Sequence, residues 1–228
     1  MEAVIYIGHG SRRQGANEKF IAFINKVMME TKTEIQGYGF LEHAKPSIHE
    51  TIEACIQEGA SNITVVPILL LPGVHANEDI PAEIEKAKIE YPDISFSYCP
   101  PLGSDDILVN ILSERLISQG FKKKAGDEAV LLVGHGSREP EAALEFQKLA
   151  DFLGEKIRFE VQTAFLTTPA FYHEKIEELP NKKIYVLPLL LFSSGFAVKM
   201  KNEKIILCDP IGFDDQLIPL IKKRAGIR

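Results

Sequence analysis

The sequence predicts an α/β protein of two similar lobes, each a parallel sheet flanked by helices, related by internal duplication. Three observations predict it. Short continuous apolar runs such as "AVIYIG" and "ITVVPILLL" are what strands look like when both faces of a sheet are covered. These runs alternate with segments of helical spacing, as a parallel sheet with crossover helices requires. The phrase "VIYIGHGSR" at residues 4–12 returns as "VLLVGHGSR" at 130–138.

The first half opens with the strand "AVIYIG" at residues 3–8. Residues 14–31 place Phe20, Ile21, Ile24, Val27 and Met28 at helical spacing. "TEIQGYGFLE" reads as the second strand, and "SIHETIEACIQEG" as a helix with Ser47 as N-cap and Gly59 as its stop. "NITVVPILLL" is the third strand, followed by the helix "DIPAEIEKAKIEY" with Asp79 as cap and Pro81 in the first turn. "ISFSYCPPLG" is the fourth strand, and "DDILVNILSERLISQG" a helix ended by Gly120.

The second half keeps this order. "VQTAFLTTPAFYHEKIEEL" matches "IQGYGFLEHAKPSIHETIEA", "IYVLPLLLFSSGF" matches "ITVVPILLLPGVH", and "ILCDPIGFDDQLIPLI" matches "SYCPPLGSDDILVNIL". The divide falls in the charged "FKKKAGDE" at 121–128, which gives lobes 1–123 and 124–228. The second copy has no counterpart of "ANEDIPAEIEKAKIEYP", so it is expected to lack the helix after its third strand. Pro67 and Pro188 recur at the same point of the third strands. Proline offers no N–H to a ladder, so each should mark a strand start or an irregularity.

Composition narrows the function. With 228 residues, 45% of them apolar and 25% charged, the chain is an ordinary globular protein long enough for one large core or two small ones. A net charge of −6 argues against a nucleic-acid partner. No apolar stretch approaches the roughly 20 residues that span a bilayer, and no secretory leader opens the sequence. Cys55, Cys99 and Cys208 are far apart, with no CxxC pair. The expectation is three buried thiols in a reducing cytoplasm rather than a zinc site or a disulfide framework. Since the duplicated chain already supplies both lobes, a monomer suffices and a dimer is allowed.

Ligand crevices of open parallel sheets lie at the carboxyl ends of the strands. Just past the first three strands stand His9, Glu42 and His75. Two imidazoles and a carboxylate suit a divalent metal, and they also suit proton removal near neutral pH. Unrelated surface and structural roles are the competing reading. The second copy is an internal control. It keeps His135, but Thr167 stands at the place of Glu42, and Phe196 or Ala197 at the place of His75. If the trio served only to fold the unit, both copies would need it. A single centre on the first lobe is therefore expected, with the second lobe a degenerate copy.

Other residues carry weaker signals. Gly8 and Gly10 allow close backbone approach. Ser11 and Ser137 are placed to cap the following helices, whose amides attract anions. Arg12, Arg13 and Arg138 are placed to meet carboxylates, or are simply solvated. His43 adjoins Glu42 but should point the opposite way on an extended backbone. His49 and His173 fall inside matching helices, and Gly103 and Gly212 in turns. "FKKK" reads as a solvated linker. No phosphate loop, GxGxxG or HExxH is present.

"YIGHGSR", "FLEHAKPSIHETI" and "VVPILLLPGVHANEDIP" together resemble the class II chelatases of the cobalamin and sirohaem pathways, above all the long duplicated bacterial type acting on sirohydrochlorin. The resemblance spans nearly the whole chain. It implies two flavodoxin-like lobes with a cleft between them. It also implies ATP-independent insertion of ferrous iron into sirohydrochlorin for sirohaem, or of cobalt for cobalamin. His9 and His75 carry over as the metal-handling and catalytic histidines, and Glu42 as their carboxylate. Thr167 and Phe196 depart from the pattern. The implied partners are a tetrapyrrole and a divalent metal (iron, or cobalt or nickel), with no further cofactor. Ser11, Arg12, Ser137 and Arg138 would meet the substrate's peripheral carboxylates. The chain lacks a histidine-rich tail, so no metal-storage segment is expected. The reading of another class is a carrier that holds metal or tetrapyrrole without catalysing insertion.

Overall fold

The computed structural model describes residues 1–180, 183–192 and 203–227. The first repeat supplies strands β1 (Glu2–Gly8), β2 (Ile35–Phe40), β3 (Asn62–Pro67) and β4 (Ser95–Tyr98), with helices α1 (Gln14–Met29), α2 (Ile48–Gln57), α3 (Ile80–Glu90) and α4 (Asp106–Ser118). The second supplies β5 (Glu128–Gly134), β6 (Val161–Phe165), β7 (Lys183–Pro188) and β8 (Ile205–Leu207), with α5 (Pro140–Ile157), α6 (Tyr172–Glu178) and α7 (Ile218–Ala225). The strands form two four-stranded sheets of order β2-β1-β3-β4 and β6-β5-β7-β8, and every pairing is parallel. Both orders put the first strand between the second and third, so the ends of three successive strands lie side by side.

Burial explains the continuous apolar runs. Ala3, Ile5 and Ile7 of β1 pack against Ile48, Ile52 and Cys55 of α2 and Ile80, Ile84 and Ala87 of α3. The alternate residues, Val4 and Tyr6, are equally buried and point to the opposite face. There α1 contributes Phe20, Phe23, Ile24 and Val27. The α2 start is a capping box: Ser47 Oγ accepts from the Glu50 N–H, and the Glu50 carboxylate accepts from the Ser47 N–H. Gly59 follows the last turn at φ +96°, a conformation that suits glycine.

The chain folds into two compact units that differ from the sequence halves. One is Met1–Gly103 with Phe213–Arg228, and the other is Ser104–Gly212. Helix α4 packs on α5 and β7, whereas α7 packs on β3 and α1. Each repeat thus gives its closing helix to the other's sheet, and the repeat boundary at 123/124 describes the duplication rather than the packing. The first unit holds its borrowed segment through the Phe213 ring, stacked on Phe23 at 5.5 Å, and through Lys26 Nζ to Asp215 at 2.8 Å. Arg224 also donates to the Leu102 carbonyl at 2.6 Å. In the second unit Ser104 donates through its N–H and its hydroxyl to Glu145 of α5, at 2.9 and 2.7 Å.

One expectation about the third strands changes, and another lies outside the described residues. Pro67 and Pro188 end β3 and β7 rather than start them. The ladders to β1 and β5 each run one bond past the proline, from Ile68 N–H to Ile7 O at 2.8 Å and from Leu189 N–H to Val133 O at 2.9 Å. The helix expected to be missing after β7 falls largely on residues 193–202, outside the described residues. All three cysteines are free and buried, as expected. Among the described residues no helix is long and apolar enough to cross a membrane.

The "FKKKAGDE" segment is organised by its last residue. Glu128, only 4% exposed, accepts the backbone N–H groups of Lys122 at 3.1 Å and Lys124 at 2.9 Å. Its other oxygen takes the Tyr185 hydroxyl at 3.3 Å. Burial alone would push this carboxyl up. The two amides, with help from Tyr185 and the Lys183 charge, outweigh it and hold the pKa below the usual carboxylate range. A folded pKa below the unfolded one adds stability above the unfolded value, and that stability is lost as pH falls through the folded value. Glu128→Ala, which orphans both amides, is expected to cost about 1–3 kcal/mol in urea denaturation at pH 7. Glu128→Gln should narrow the stability gap between pH 7 and pH 4 relative to the parent. An equal acid loss in parent and Gln variant would remove Glu128 as the acid-sensitive anchor.

Candidate functional site

Backbone pairing beyond the strand ends builds the site. Leu41 N–H closes the β1–β2 ladder on Gly8 O at 2.9 Å, and the next amide, Glu42 N–H, donates to His9 O at 3.0 Å, which sets Glu42 beside His9. Gly10 then lets the chain turn away at φ +87°. A Cβ there would lie 1.7 Å from the Glu42 carbonyl oxygen, so no side chain fits. His75 comes from the loop after β3. Ala76 and Asn77 donate their N–H groups to Gly73 O, both at 2.9 Å, and start a helical turn. The wide π-type turn His75–Asp79 then runs into α3. Such turns recur at functional positions because they displace one residue from the regular helical face. The half-buried Tyr98 hydroxyl, its pKa raised by its loss of solvent, donates to Ala76 O at 2.7 Å and pins the turn.

The partners of the two Nδ1 atoms assign a tautomer to each ring. His9 Nδ1 lies 2.8 Å from Gly10 O. A carbonyl only accepts, so Nδ1 carries the hydrogen and, in the neutral ring, Nε2 is left bare. His75 Nδ1 lies 2.6 Å from Asp79 Oδ2, with the same consequence. The two Nε2 atoms face each other at 3.0 Å, and Glu42 Oε1 is 3.3 Å from that of His9. One donor atom from each residue lies within 4.8 Å of the others, the spacing of a shared ion. Without a cation, two lone pairs would oppose each other beside a negative carboxylate. A proton or a metal ion between them turns that repulsion into attraction. The side chains of His9, Glu42 and His75 are 35%, 41% and 43% exposed, so the set is open to an incoming partner.

The structure thus brings together the three residues singled out at the strand ends, and it corrects their surroundings. Asp79 does not cap α3: the chain is already helical from His75, and the Asp79 carboxylate goes to His75 Nδ1 instead. Its relation to His75 was legible as an i, i+4 spacing hidden behind the "DIP" cap signature. His43 does not point away from Glu42. It takes φ +61°, in the left-handed region, which turns its Nε2 back to 3.1 Å from Glu42 Oε1. Ser11 and Ser137 do not cap either. Their hydroxyls accept from Arg13 N–H and Glu139 N–H, both at 3.1 Å, in turns just before the helices. Arg12 and Arg138 are exposed. His49 pairs with Glu90 at 2.8 Å, and His173 stacks on Phe171 at 5.5 Å.

The second copy preserves the frame without the donors. Thr167 N–H donates to His135 O at 3.1 Å, the counterpart of the Glu42–His9 bond, and its hydroxyl adds a second bond to the same oxygen at 2.7 Å. His135 itself is exposed. Phe196 and Ala197 lie outside the described residues. Among the described residues His9, Glu42 and His75 are the one group of three that could share a metal ion.

The sequence matches the model of the CbiX family over residues 3–119 and 129–227. It is 36% identical to a sirohydrochlorin ferrochelatase of Priestia megaterium, over 99% of this chain and 90% of that protein. It is 32% identical to a sirohydrochlorin cobaltochelatase of the same organism, over 99% and 79%. The structure of SirB from Bacillus subtilis with Fe3+ superimposes with a TM-score of 0.88 at 31% identity, covering 99% of this chain and 94% of that one.

Two glycines test the frame. Gly10→Ala forces a methyl into the Glu42 carbonyl at a positive φ and should lower the melting temperature and weaken Co2+ binding together. Gly15→Ala, inside α1 with open space around it, is expected to be neutral or to stabilise by up to about 1 kcal/mol. Thermal melts and Co2+ titration of both variants check this. Parent-like Co2+ affinity in a folded Gly10→Ala variant would separate the turn from the site.

Proposed function

The chain belongs to the CbiX family, and on that premise we propose that it inserts a divalent metal ion into sirohydrochlorin, with ferrous iron as the first metal and cobalt as the second. The observation that carries the reading is the pair of bare imidazole nitrogens facing each other at 3.0 Å beside the Glu42 carboxylate. Insertion exchanges one divalent ion for two pyrrole N–H protons. His9 and His75 hold the ion through Nε2, with Glu42 completing the set and balancing its charge. As the ion passes to the ring, the vacated nitrogens and the carboxylate are where the released protons go. The reaction as written needs no nucleotide. The placement at the ends of β1, β2 and β3 supports a centre on the first repeat.

Ser11, Arg12, Ser137 and Arg138 are proposed to meet the carboxylates on the rim of the substrate. The exposure of both arginines, each in the turn just past a first strand, supports this. A carrier that only stores metal is disfavoured by the open donor set, since storage and structural sites close their coordination shell within the protein. Ligand chemistry does not separate iron from cobalt here. The higher-identity relative in Priestia megaterium carries the iron name, which sets the order of the two metals. The free thiols suit the reducing cytoplasm proposed as its compartment.

Anaerobic assays that follow the absorbance change of sirohydrochlorin with Fe2+ and Co2+ test the proposal. The parent should turn over many equivalents. Folded His9→Ala, His75→Ala and Glu42→Gln variants should each lose roughly 100-fold or more. Parent-like rates in both histidine variants would overturn the assignment, and a stop at one equivalent would favour the carrier.

A further inference from the structure

We infer that Asp79 and His43 form an outer layer of positioning residues for the metal-handling set, the one presenting His75 and the other presenting Glu42. This rests on the proposed site and extends it to two residues that touch neither ion nor substrate in that proposal.

The case for Asp79 is geometric. Its Oδ2 takes the Nδ1 hydrogen of His75 at 2.6 Å, four residues apart across the wide turn. That contact determines which nitrogen faces His9. Without it, the neutral imidazole is free to carry its hydrogen on Nε2, the atom that would otherwise offer a lone pair to the ion. His9 has the corresponding support from a main-chain oxygen, Gly10 O, at 2.8 Å. His75 has no main-chain oxygen in that role, so the support there is a side chain that a substitution can remove.

The case for His43 is conformational. A non-glycine residue at φ +61° sits in a sparsely populated region and persists only where its surroundings repay it. Here the conformation turns the ring back so that Nε2 lies 3.1 Å from the same Glu42 oxygen that faces His9. His43 thereby holds one carboxylate oxygen toward the two imidazoles. Orienting partners of this kind typically contribute about 10–100-fold to metal affinity.

The test is Co2+ binding to the full-length protein, followed by calorimetry and by the visible spectrum of the bound ion. The parent, Asp79→Ala, Asp79→Asn, His43→Leu and His75→Ala are compared, with circular dichroism and melting curves to establish folding. The expected order has the parent tightest. Asp79→Ala and His43→Leu should be about 10–100-fold weaker, with an altered cobalt spectrum. His75→Ala should be weaker still. Asp79→Asn, which keeps an acceptor oxygen, should recover part of the loss. Parent-like affinity and spectrum in folded Asp79→Ala and His43→Leu, with His75→Ala impaired, overturn the outer layer and leave the site standing. Equal binding by parent and His75→Ala overturns both. Should either variant not fold, Asp79→Leu and His43→Ala, which likewise remove the acceptor and the ring, carry the same comparison.

Discussion

The amide of Glu42 donates to the carbonyl of His9, a backbone bond added just past the end of the β1–β2 ladder, which closes with Leu41 N–H to Gly8 O. Everything at the site depends on this added step. Parallel pairing fixes the two chains in register, so a side chain from the end of β2 is delivered beside one from the end of β1 without any loop having to search for it. The same step forbids a side chain at residue 10, because the Glu42 carbonyl occupies the space a Cβ would need. The β2-β1-β3 order then places the loop after β3 on the opposite side of His9, and His75 approaches from there. Three donors from distant points of the sequence converge because three strands are neighbours.

What the donors can do follows from their hydrogen bonds. Gly10 O and Asp79 each claim an Nδ1 hydrogen, which leaves both Nε2 atoms to share one positive particle. In the proposed reaction, two neutral imidazoles and one carboxylate would bind a divalent ion without neutralising it fully. A sirohydrochlorin that has shed both pyrrole protons would neutralise it completely. The charge balance therefore favours transfer from protein to ring, and an incomplete protein shell gives the ring nitrogens room to replace the donors one at a time. A closed four-donor shell would bind more tightly and transfer more slowly.

Much of this was legible in the sequence. Continuous apolar strands, alternating helices and the repeated GHGS phrase are local signals, and they specified the fold class, the duplication and the three strand-end residues. What was not legible depends on partners distant in the sequence. The apolar faces of α4 and α7 show that each helix is buried, but not against which sheet, and the exchange of the two is decided by packing such as Phe213 on Phe23. His43 was misread because alternation presumes an extended backbone, and at φ +61° that presumption fails. Asp79 was misread because an acidic residue before Ile-Pro matches a helix cap, and nothing local shows that the helix has already begun at His75.

The second copy shows how the two sets of strand ends differ. The backbone there is retained down to the bond from Thr167 to the carbonyl of His135. The difference lies in where the side chain goes. Glu42 reaches outward to His9 and His43, whereas the shorter Thr167 folds back and donates its hydroxyl to the same carbonyl oxygen its own amide uses. Even a carboxylate at 167 would leave His135 without a facing imidazole, since the stretch from residue 189 to 204 contains no histidine. Two losses separate the copies, and each removes a donor without disturbing the sheet. A duplicated fold of this kind retains its architecture under selection for packing alone. The proposed chemistry needs three separate side chains, and among the described residues the first repeat alone brings all three together.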